Sequence, residues 1–449
     1  MIAIDYSSLL FCKETLLKLS YFFSEEEGTC LLYSGGDFDS ASESFLFLFP
    51  FEKIEIKENS DNKDWDEKKR WKFLQSNLSF APDALSIPLW IGFLSYEMAG
   101  GASALQEIPY VYFQRSAVTF ALNHQTNILT VYFVKEAKNS LSLEHQHWFD
   151  CFSSLSSLSC FLANLKEMEC KKNYALSFSK QVEPFESYEK KIIEIQEMIL
   201  NGDVYQVNLS HEIELEGEQD PFLFFYSLTK RNPAPFSAYF KHKDFVIASS
   251  SPERFLKKKN GFLETRPIKG TISRGLTEEE DIKNRQTLLN SEKDLAELLM
   301  ITDLMRNDLG KISMAGSVKA KKIVHLEAYE NVFHLLSIIE SIPCPSFHPV
   351  ELVQACFPGG SVTGCPKLSA MHAIQKLEKR RRGIYTGSLG YFAANGDFDF
   401  NIAIRTILFL KDKAHISLGG AITIDSQSKE EYQETLQKGF SILKALTLI

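Results

Sequence analysis

The strongest local constraint on the fold of this chain lies at residues 266–271, which read RPIKGT. Pro267 fixes its own φ and biases Arg266 towards an extended conformation. Gly270 permits a close approach of the backbone that a side chain would block. We therefore predict an extended segment that holds Lys269 rigidly. An isolated lysine is usually a solvated or salt-bridged surface residue, so the rest of the sequence must decide whether Lys269 has a chemical role.

The composition is that of a water-soluble globular protein, with 44% hydrophobic and 24% charged residues. The formal net charge of -9 gives no general attraction to nucleic acid or to an anionic membrane, so local cations must capture any small anionic substrate. The eight cysteines include no Cys-x-x-Cys pair, which argues against a zinc site or a disulfide framework. Neither a signal-like N-terminus nor a membrane-length apolar run is present, and we expect a cytoplasmic protein.

Two stretches indicate how the chain is organised. Residues 118–134 alternate apolar and polar side chains in the manner of paired strands. Residues 136–186 lose periodicity and gain serine, so we place the least constrained connection there. A chain of 449 residues can hold two or three average domains or one large mixed core, and the number of domains stays open.

A helix is predicted to begin at Ser291 and to end before Gly310. Four of its residues are expected to face the core: Leu295, Leu298, Leu299 and Met305. Glu297 lies on the same helix, where an isolated carboxylate would usually face solvent.

The C-terminal helix places Glu431, Glu434 and Lys438 on one stripe. Ion pairs three and four residues apart would explain such a stripe without any further role. Ser428 and Glu431 also fit a capping box, so we assign Glu431 a structural role.

Residues 251–255 read SPERF and lie shortly before the RPIKGT run. Further motifs follow: ELLMITDLMRNDLG at 297–310, ENVFHL at 330–335, PGGSVTGCPK at 358–367 and GIYTG at 383–387. With these motifs the chain resembles the chorismate-utilising enzymes. The resemblance implies an α+β fold, in which two antiparallel β-sheets pack as a sandwich with helices on the outside. Residues 1–180 would form an N-terminal region of the same sandwich, and residues 185–449 the chorismate-binding catalytic region.

The resemblance also implies roles for individual residues. Lys269 and Glu253 match catalytic positions, and Glu297 and Glu434 match the two glutamates that bind Mg²⁺. Seven residues match substrate-binding positions: Thr271, His334, Tyr385, Arg405, Gly419, Gly420 and Lys438. The arginine would grip a carboxylate with its planar fork, and the glycines would offer backbone donors. Ala421 stands where the family usually has a third glycine, which makes the local loop geometry uncertain.

Lys269 indicates which reaction the resemblance implies. Aminodeoxychorismate synthase component I enzymes carry lysine at this position, whereas anthranilate synthases carry alanine. The implied reaction is amination of chorismate at C4, on the route to 4-aminobenzoate and folate, through a covalent Lys269 intermediate. Ammonia would come from a separate glutamine amidotransferase subunit. The alternatives are an anthranilate or isochorismate synthase, which delivers the nucleophile to C2, and a non-catalytic regulatory subunit.

A second pocket is implied by residues far from Lys269 in the sequence. Ser34 follows an apolar strand, and Pro235, Phe236 and Ser237 match the family segment that closes a tryptophan-binding pocket from the other side. Regulated members typically have glutamate where this chain has Tyr33. These four residues are therefore candidates for an effector pocket, without an expectation that tryptophan inhibits.

Overall fold

Eleven α-helices and twenty β-strands make up the part of the chain that the computed structural model describes, which is residues 2–5, 11–36, 40, 42–57, 65–100, 108–166, 177–178, 183–217 and 220–447. The helices are α1 (Lys13–Phe22), α2 (Glu67–Asn77), α3 (Leu143–Ser153), α4 (Leu155–Lys166), α5 (Phe185–Leu200), α6 (Pro221–Arg231), α7 (Glu278–Leu289), α8 (Glu292–Gly310), α9 (Pro349–Cys356), α10 (Lys367–Glu378) and α11 (Ser428–Thr447). The strands are β1 (Ile2–Asp5), β2 (Cys30–Tyr33), β3 (Glu43–Ile56), β4 (Pro88–Leu94), β5 (Val111–Asn123), β6 (Ile128–Phe133), β7 (Ser177–Phe178), β8 (Gln206–Glu216), β9 (Phe236–Lys241), β10 (Val246–Ser251), β11 (Arg254–Lys259), β12 (Phe262–Arg266), β13 (Ile268–Ser273), β14 (Lys319–Ala328), β15 (Val332–Ser341), β16 (Gly364–Cys365), β17 (Ser388–Ala393), β18 (Phe398–Asn401), β19 (Thr406–Leu410) and β20 (Lys413–Ile422). A short 3-10 turn at Gly360–Val362 lies near the site described below.

The described strands pair antiparallel and form one hydrogen-bonded network that branches at β5. One edge of β5 pairs with β3, while its other edge pairs with β4 near its start and with β6 near its end. One branch continues through β2, β9, β10, β19, β20 and β8. The other continues through β17, β18, β11, β12 and β15, with β13 and β14 also on β15. The predicted α+β class with antiparallel sheet is confirmed, and β5 joins the branches.

Strands from both halves of the sequence pair directly. β2 pairs with β9, and β4 pairs with β17. One core cluster likewise combines buried residues from both halves, among them Leu46, Phe120, Ile407 and Ile416. The predicted boundary near residues 180–185 falls largely outside the described residues, and it stays a prediction. No helix within the described ranges is long and apolar enough to cross a membrane.

Helix α8 forms where the sequence predicts it, because Ser291 accepts a hydrogen bond from the Asp294 backbone N–H at 3.3 Å. Leu298 and Met305 are buried as expected. The expectation for Leu299 was wrong, since its side chain is 50% exposed. Successive helical residues are rotated by about 100°, so the neighbour of a fully buried residue turns towards solvent. Gly310 is the last helical residue rather than the one after the end.

Residues 136–186 were predicted to contain the least constrained connection. Residues 143–166 instead form α3 and α4, where the buried Phe152 and Leu158 join the core, while residues 167–176 and 179–182 lie outside the described residues and leave the prediction untested there. Apolar side chains at helical spacing between the serines anchor this segment, and the serine content obscured that pattern.

Candidate active site

Adjacent strands β13 and β15 present three of the predicted site residues. Lys269 pairs with Leu335 and Thr271 pairs with His334, with a register shift at the glycine between them. That glycine, Gly270, has a φ of +76°, and a Cβ on it would lie 3.0 Å from the side chain of Asp294 on α8. The extended segment that the RPIKGT run predicts is therefore a strand that is irregular at Gly270 and lies close to α8.

The amine of Lys269 lies among the predicted catalytic and metal-binding groups. Its Nζ is 3.8 Å from Oε2 of Glu297, and both side chains are largely buried. Burial lowers the pKa of Lys269 below its ordinary value, and the positive charge of Lys438 acts in the same direction. The nearby carboxylates of Glu297, Glu253 and Glu434 act in the opposite direction without offsetting the decrease. A neutral, nucleophilic amine is thus easier to form here than in water.

Arg266 is near Lys269 in the sequence, but it is not a cation that lowers the pKa of Lys269. The Arg266 guanidinium pairs with Glu264 at 2.9 Å and approaches Glu327 at 3.5 Å. Glu264 lies two residues before Arg266 on β12, and Glu327 lies on β14, so the charge of Arg266 is neutralised locally. Lys438 is the cation that contributes.

The carboxyl of Glu253 is buried at the end of β10. Its Oε1 accepts hydrogen bonds from the Ser361 hydroxyl at 2.6 Å and from the Ile268 backbone N–H at 3.4 Å. Burial raises the pKa of Glu253 to about 7, even though the hydrogen bond from Ser361 and the charge of Lys269 act to lower it. A carboxylic acid with this pKa can hold and release a proton near neutral pH. Our sequence analysis missed Ser361, although it lies within the PGGSVTGCPK motif.

Helices α8 and α11 carry the two predicted metal ligands, Glu297 and Glu434, and the charges of Lys269 and Lys293 act on both carboxylates. Lys293 of α8 links the two helices, because its amine lies 3.4 Å from the carboxylate of Glu431 of α11. Glu431 also accepts a hydrogen bond from Ser426 at 2.7 Å, in line with a structural role. The carboxylate of Glu434 pairs with Lys438 at 2.7 Å. Burial would raise the pKa of Glu434, but Lys438 outweighs it and the pKa is lowered.

The donor set of this pair of glutamates fits Mg²⁺. Burial raises the pKa of Glu297, and Lys269 and Lys293 do not compensate for it, so a further cation beside this carboxylate would be favourable. Within the described residues, no group of three or more His, Cys, Asp or Glu side chains is placed to hold a metal ion. Mg²⁺ usually takes one or two protein carboxylates and fills its other positions with water and substrate, so two glutamates suffice.

Arg405 supplies a partly buried cation without a carboxylate partner within 4.0 Å among the residues described here. Burial lowers its pKa, although arginine stays charged in practice. Burial, and then the charge of Arg405, lower the pKa of His334 to about 3. The imidazole is therefore neutral, and its Nδ1 lies 2.7 Å from the Thr271 hydroxyl.

The remaining predicted substrate residues cluster at β20. A Cβ on Gly419 would lie 2.6 Å from the Tyr385 hydroxyl oxygen, and the Lys438 amine donates to the Gly419 carbonyl at 3.3 Å. A Cβ on Gly420 would lie 3.5 Å from Oε2 of Glu431. Ala421 continues the strand opposite Asn208 and has no positive φ, so the expected loop uncertainty does not arise.

Three of the four predicted effector residues line a separate cavity of about 120 Å³. Pro235, Phe236 and Ser237 line it together with Tyr33, whereas Ser34 is not among the lining residues. The backbone N–H of Ser34 instead donates to the Ser44 hydroxyl at 2.9 Å. The assignment of an effector to this cavity stays a prediction.

Comparisons with known proteins bear on this geometry. The family model described as chorismate binding enzyme matches residues 28–444. Aminodeoxychorismate synthase component 1 of Bacillus subtilis (strain 168) is 36% identical over 371 residues, which cover 80% of this chain and 77% of the relative. The Salmonella typhimurium protein of the same name is 44% identical over 259 residues, 58% of this chain and 57% of its own length. The crystal structure of anthranilate synthase component I from Streptococcus pneumoniae TIGR4 matches with a TM-score of 0.74 at 28% identity, covering 91% of this chain and 93% of that chain.

Proposed function

The chain belongs to the family of chorismate-binding enzymes, and from this premise we propose that it aminates chorismate at C4, giving 4-amino-4-deoxychorismate. The observation that carries the proposal is the buried amine of Lys269, with its lowered pKa, beside Glu297 and near Glu253. Two relatives named aminodeoxychorismate synthase component 1 support the choice within the family.

The proposed chemistry uses Lys269 as a covalent nucleophile. The C4 hydroxyl is replaced by nitrogen with retained configuration, which two successive displacements provide more readily than one. The neutral amine adds at C2 and loses a proton, while the C4 hydroxyl takes a proton from Glu253 and leaves as water. Ammonia then adds at C4, the bond from Lys269 to C2 breaks, and the proton lost by ammonia balances the one that the departing amine gains.

Cations placed locally in this acidic chain would bind the substrate. Arg405 and Lys438 would bind the carboxylates of chorismate, and the neutral His334 would stay hydrogen-bonded to Thr271. Glu297 and Glu434 would hold Mg²⁺, which when bound neutralises substrate carboxylate charge and charge that develops on the leaving group.

We further propose that ammonia comes from a separate glutamine amidotransferase subunit in the cytoplasm. The sequence contains no motif resembling a glutaminase nucleophile, and both curated relatives above are named as a component 1. The product would feed 4-aminobenzoate and folate synthesis.

An alternative within the family is an anthranilate or isochorismate synthase, which the match to the Streptococcus pneumoniae structure keeps in view. A regulatory subunit that only binds chorismate is a further alternative. Incubating the protein with chorismate, Mg²⁺ and ammonium and separating the products by chromatography distinguishes them. We expect 4-amino-4-deoxychorismate; anthranilate or isochorismate would favour the first alternative. No turnover even with a glutaminase subunit would favour the second.

A further inference from the structure

The two hydrogen-bond donors that reach the carboxyl of Glu253 act on the same oxygen. The Ser361 hydroxyl and the Ile268 backbone N–H both donate to Oε1, at 2.6 and 3.4 Å. A carboxylic oxygen that accepts hydrogen bonds in this way is poorly placed to carry the proton itself. The acidic proton therefore belongs on Oε2.

The backbone of Glu253 is also fixed. Its N–H donates to the Ser251 hydroxyl at 3.3 Å, and its carbonyl accepts from the Ile402 N–H at 3.0 Å. The orientation of the carboxyl about its side-chain bonds is then the remaining freedom, and Ser361 is the side chain that restricts it.

Lys367 stabilises the turn that carries Ser361. The Lys367 amine donates to the carbonyls of Cys356 and Pro358 at 2.7 and 2.8 Å, and lies 2.5 Å from the buried carboxylate of Asp308. At Gly360, a Cβ would lie 2.4 Å from the end of the Met305 side chain, so the turn packs tightly on α8. The Ser361 hydroxyl is thus presented to Glu253 by a braced turn.

We propose that Ser361 is a positioning residue, whose hydroxyl holds Oε1 of Glu253 so that Oε2 carries the proton delivered to the leaving group. The inference rests on the proposed function only in naming Glu253 as the proton donor. It does not depend on whether nitrogen arrives at C4 or at C2. The charged group that acts on Glu253 is Lys269 on β13. The hydrogen bonds to the Glu253 carboxyl come from the Ser361 hydroxyl and the Ile268 N–H.

The test compares Ser361→Ala and Ser361→Thr with Thr363→Val. Thr363 lies in the same turn and donates to the carbonyls of Gly359 and Gly360 instead of to Glu253. For Ser361→Ala we expect kcat to fall about tenfold or more, with KM for chorismate little changed. The alkaline limb of kcat/KM should move to higher pH, because a hydrogen bond that favours the charged carboxylate is lost. Ser361→Thr should restore most of both properties.

Thr363→Val should reduce thermal stability without moving the alkaline limb. An unmoved limb in Ser361→Ala, or an equal movement in Thr363→Val, would overturn the proposal and leave Ser361 a packing residue. Because rates are followed as chorismate consumed, an unexpected product would contradict the proposed function while leaving this test intact.

A measurement that needs no turnover tests the proposal even when the protein is inactive. Infrared difference spectra, with Glu253→Gln as the background, report the protonated Glu253 carboxyl as pH is varied. Its titration midpoint should be higher in Ser361→Ala than in wild type. An identical midpoint in the two proteins would overturn the proposal whether or not any reaction is observed.

Discussion

Replacing Glu253 by glutamine should remove activity and yet stabilise the folded protein at alkaline pH. The glutamine keeps a carbonyl oxygen that can accept from Ser361 and Ile268, but it cannot ionise. The substitution therefore separates the cost of burying a charge from the loss of hydrogen bonds.

The size of the effect follows from the pKa of Glu253, which burial raises from 4.5 to about 7. At pH below the pKa that the carboxyl has in the unfolded chain, the carboxyl is neutral in both states, and ionisation costs the folded state nothing. Between the unfolded and folded pKa values the carboxyl ionises in the unfolded chain but stays neutral in the folded protein, so the free energy of unfolding falls as pH rises. Above the folded value the full cost is present, about 3 kcal/mol at most.

Urea denaturation of wild type and Glu253→Gln at about pH 5 and about pH 8.5 measures this difference. We expect the variant to gain up to about 3 kcal/mol relative to wild type at the higher pH, and little at the lower pH. The exposed Glu430→Gln serves as control and should show no such pH dependence. Equal effects of Glu253→Gln at both pH values would refute the raised pKa, and with it the proton-donor role of Glu253.

Three further outcomes follow from the site. Lys269→Ala should reduce C4 amination by about 1000-fold or more and leave residual chemistry directed at C2, and a normal amination rate in this variant would exclude covalent catalysis. Wild type incubated with chorismate in the absence of ammonia should show added mass on the peptide that contains Lys269. Glu297→Gln and Glu434→Gln should each lose activity without unfolding, and chelators should inhibit wild type; full activity in a chelator would remove the metal assignment. Arg405→Ala should cost roughly 2 to 5 kcal/mol in chorismate binding, whereas the exposed Arg285→Ala should cost little; similar effects in a titration of initial rates would show that the pocket is misplaced.

Short-range sequence signals predicted the elements that carry the site, but not all the neighbours of each side chain. The α8 start at Ser291 and the close backbone approach at Gly270 depend on local backbone chemistry, and both are found. Ser361 was missed because its contact with Glu253 joins residues 108 positions apart. Periodicity also fails at Leu299, because it identifies an apolar residue without showing how much of the helix its neighbours cover.

The strand pairings between the two halves of the chain limit how this enzyme can be dissected. A fragment beginning at residue 185 would lose β2 and β4, and the edges of β9 and β17 would be left open. Both strands are largely buried, and open apolar edges recruit other chains. Such a fragment would contain Lys269 and its neighbours and still tend to aggregate during expression. Deletion of the first half would therefore be observed as a loss of soluble protein before any loss of catalysis could be measured.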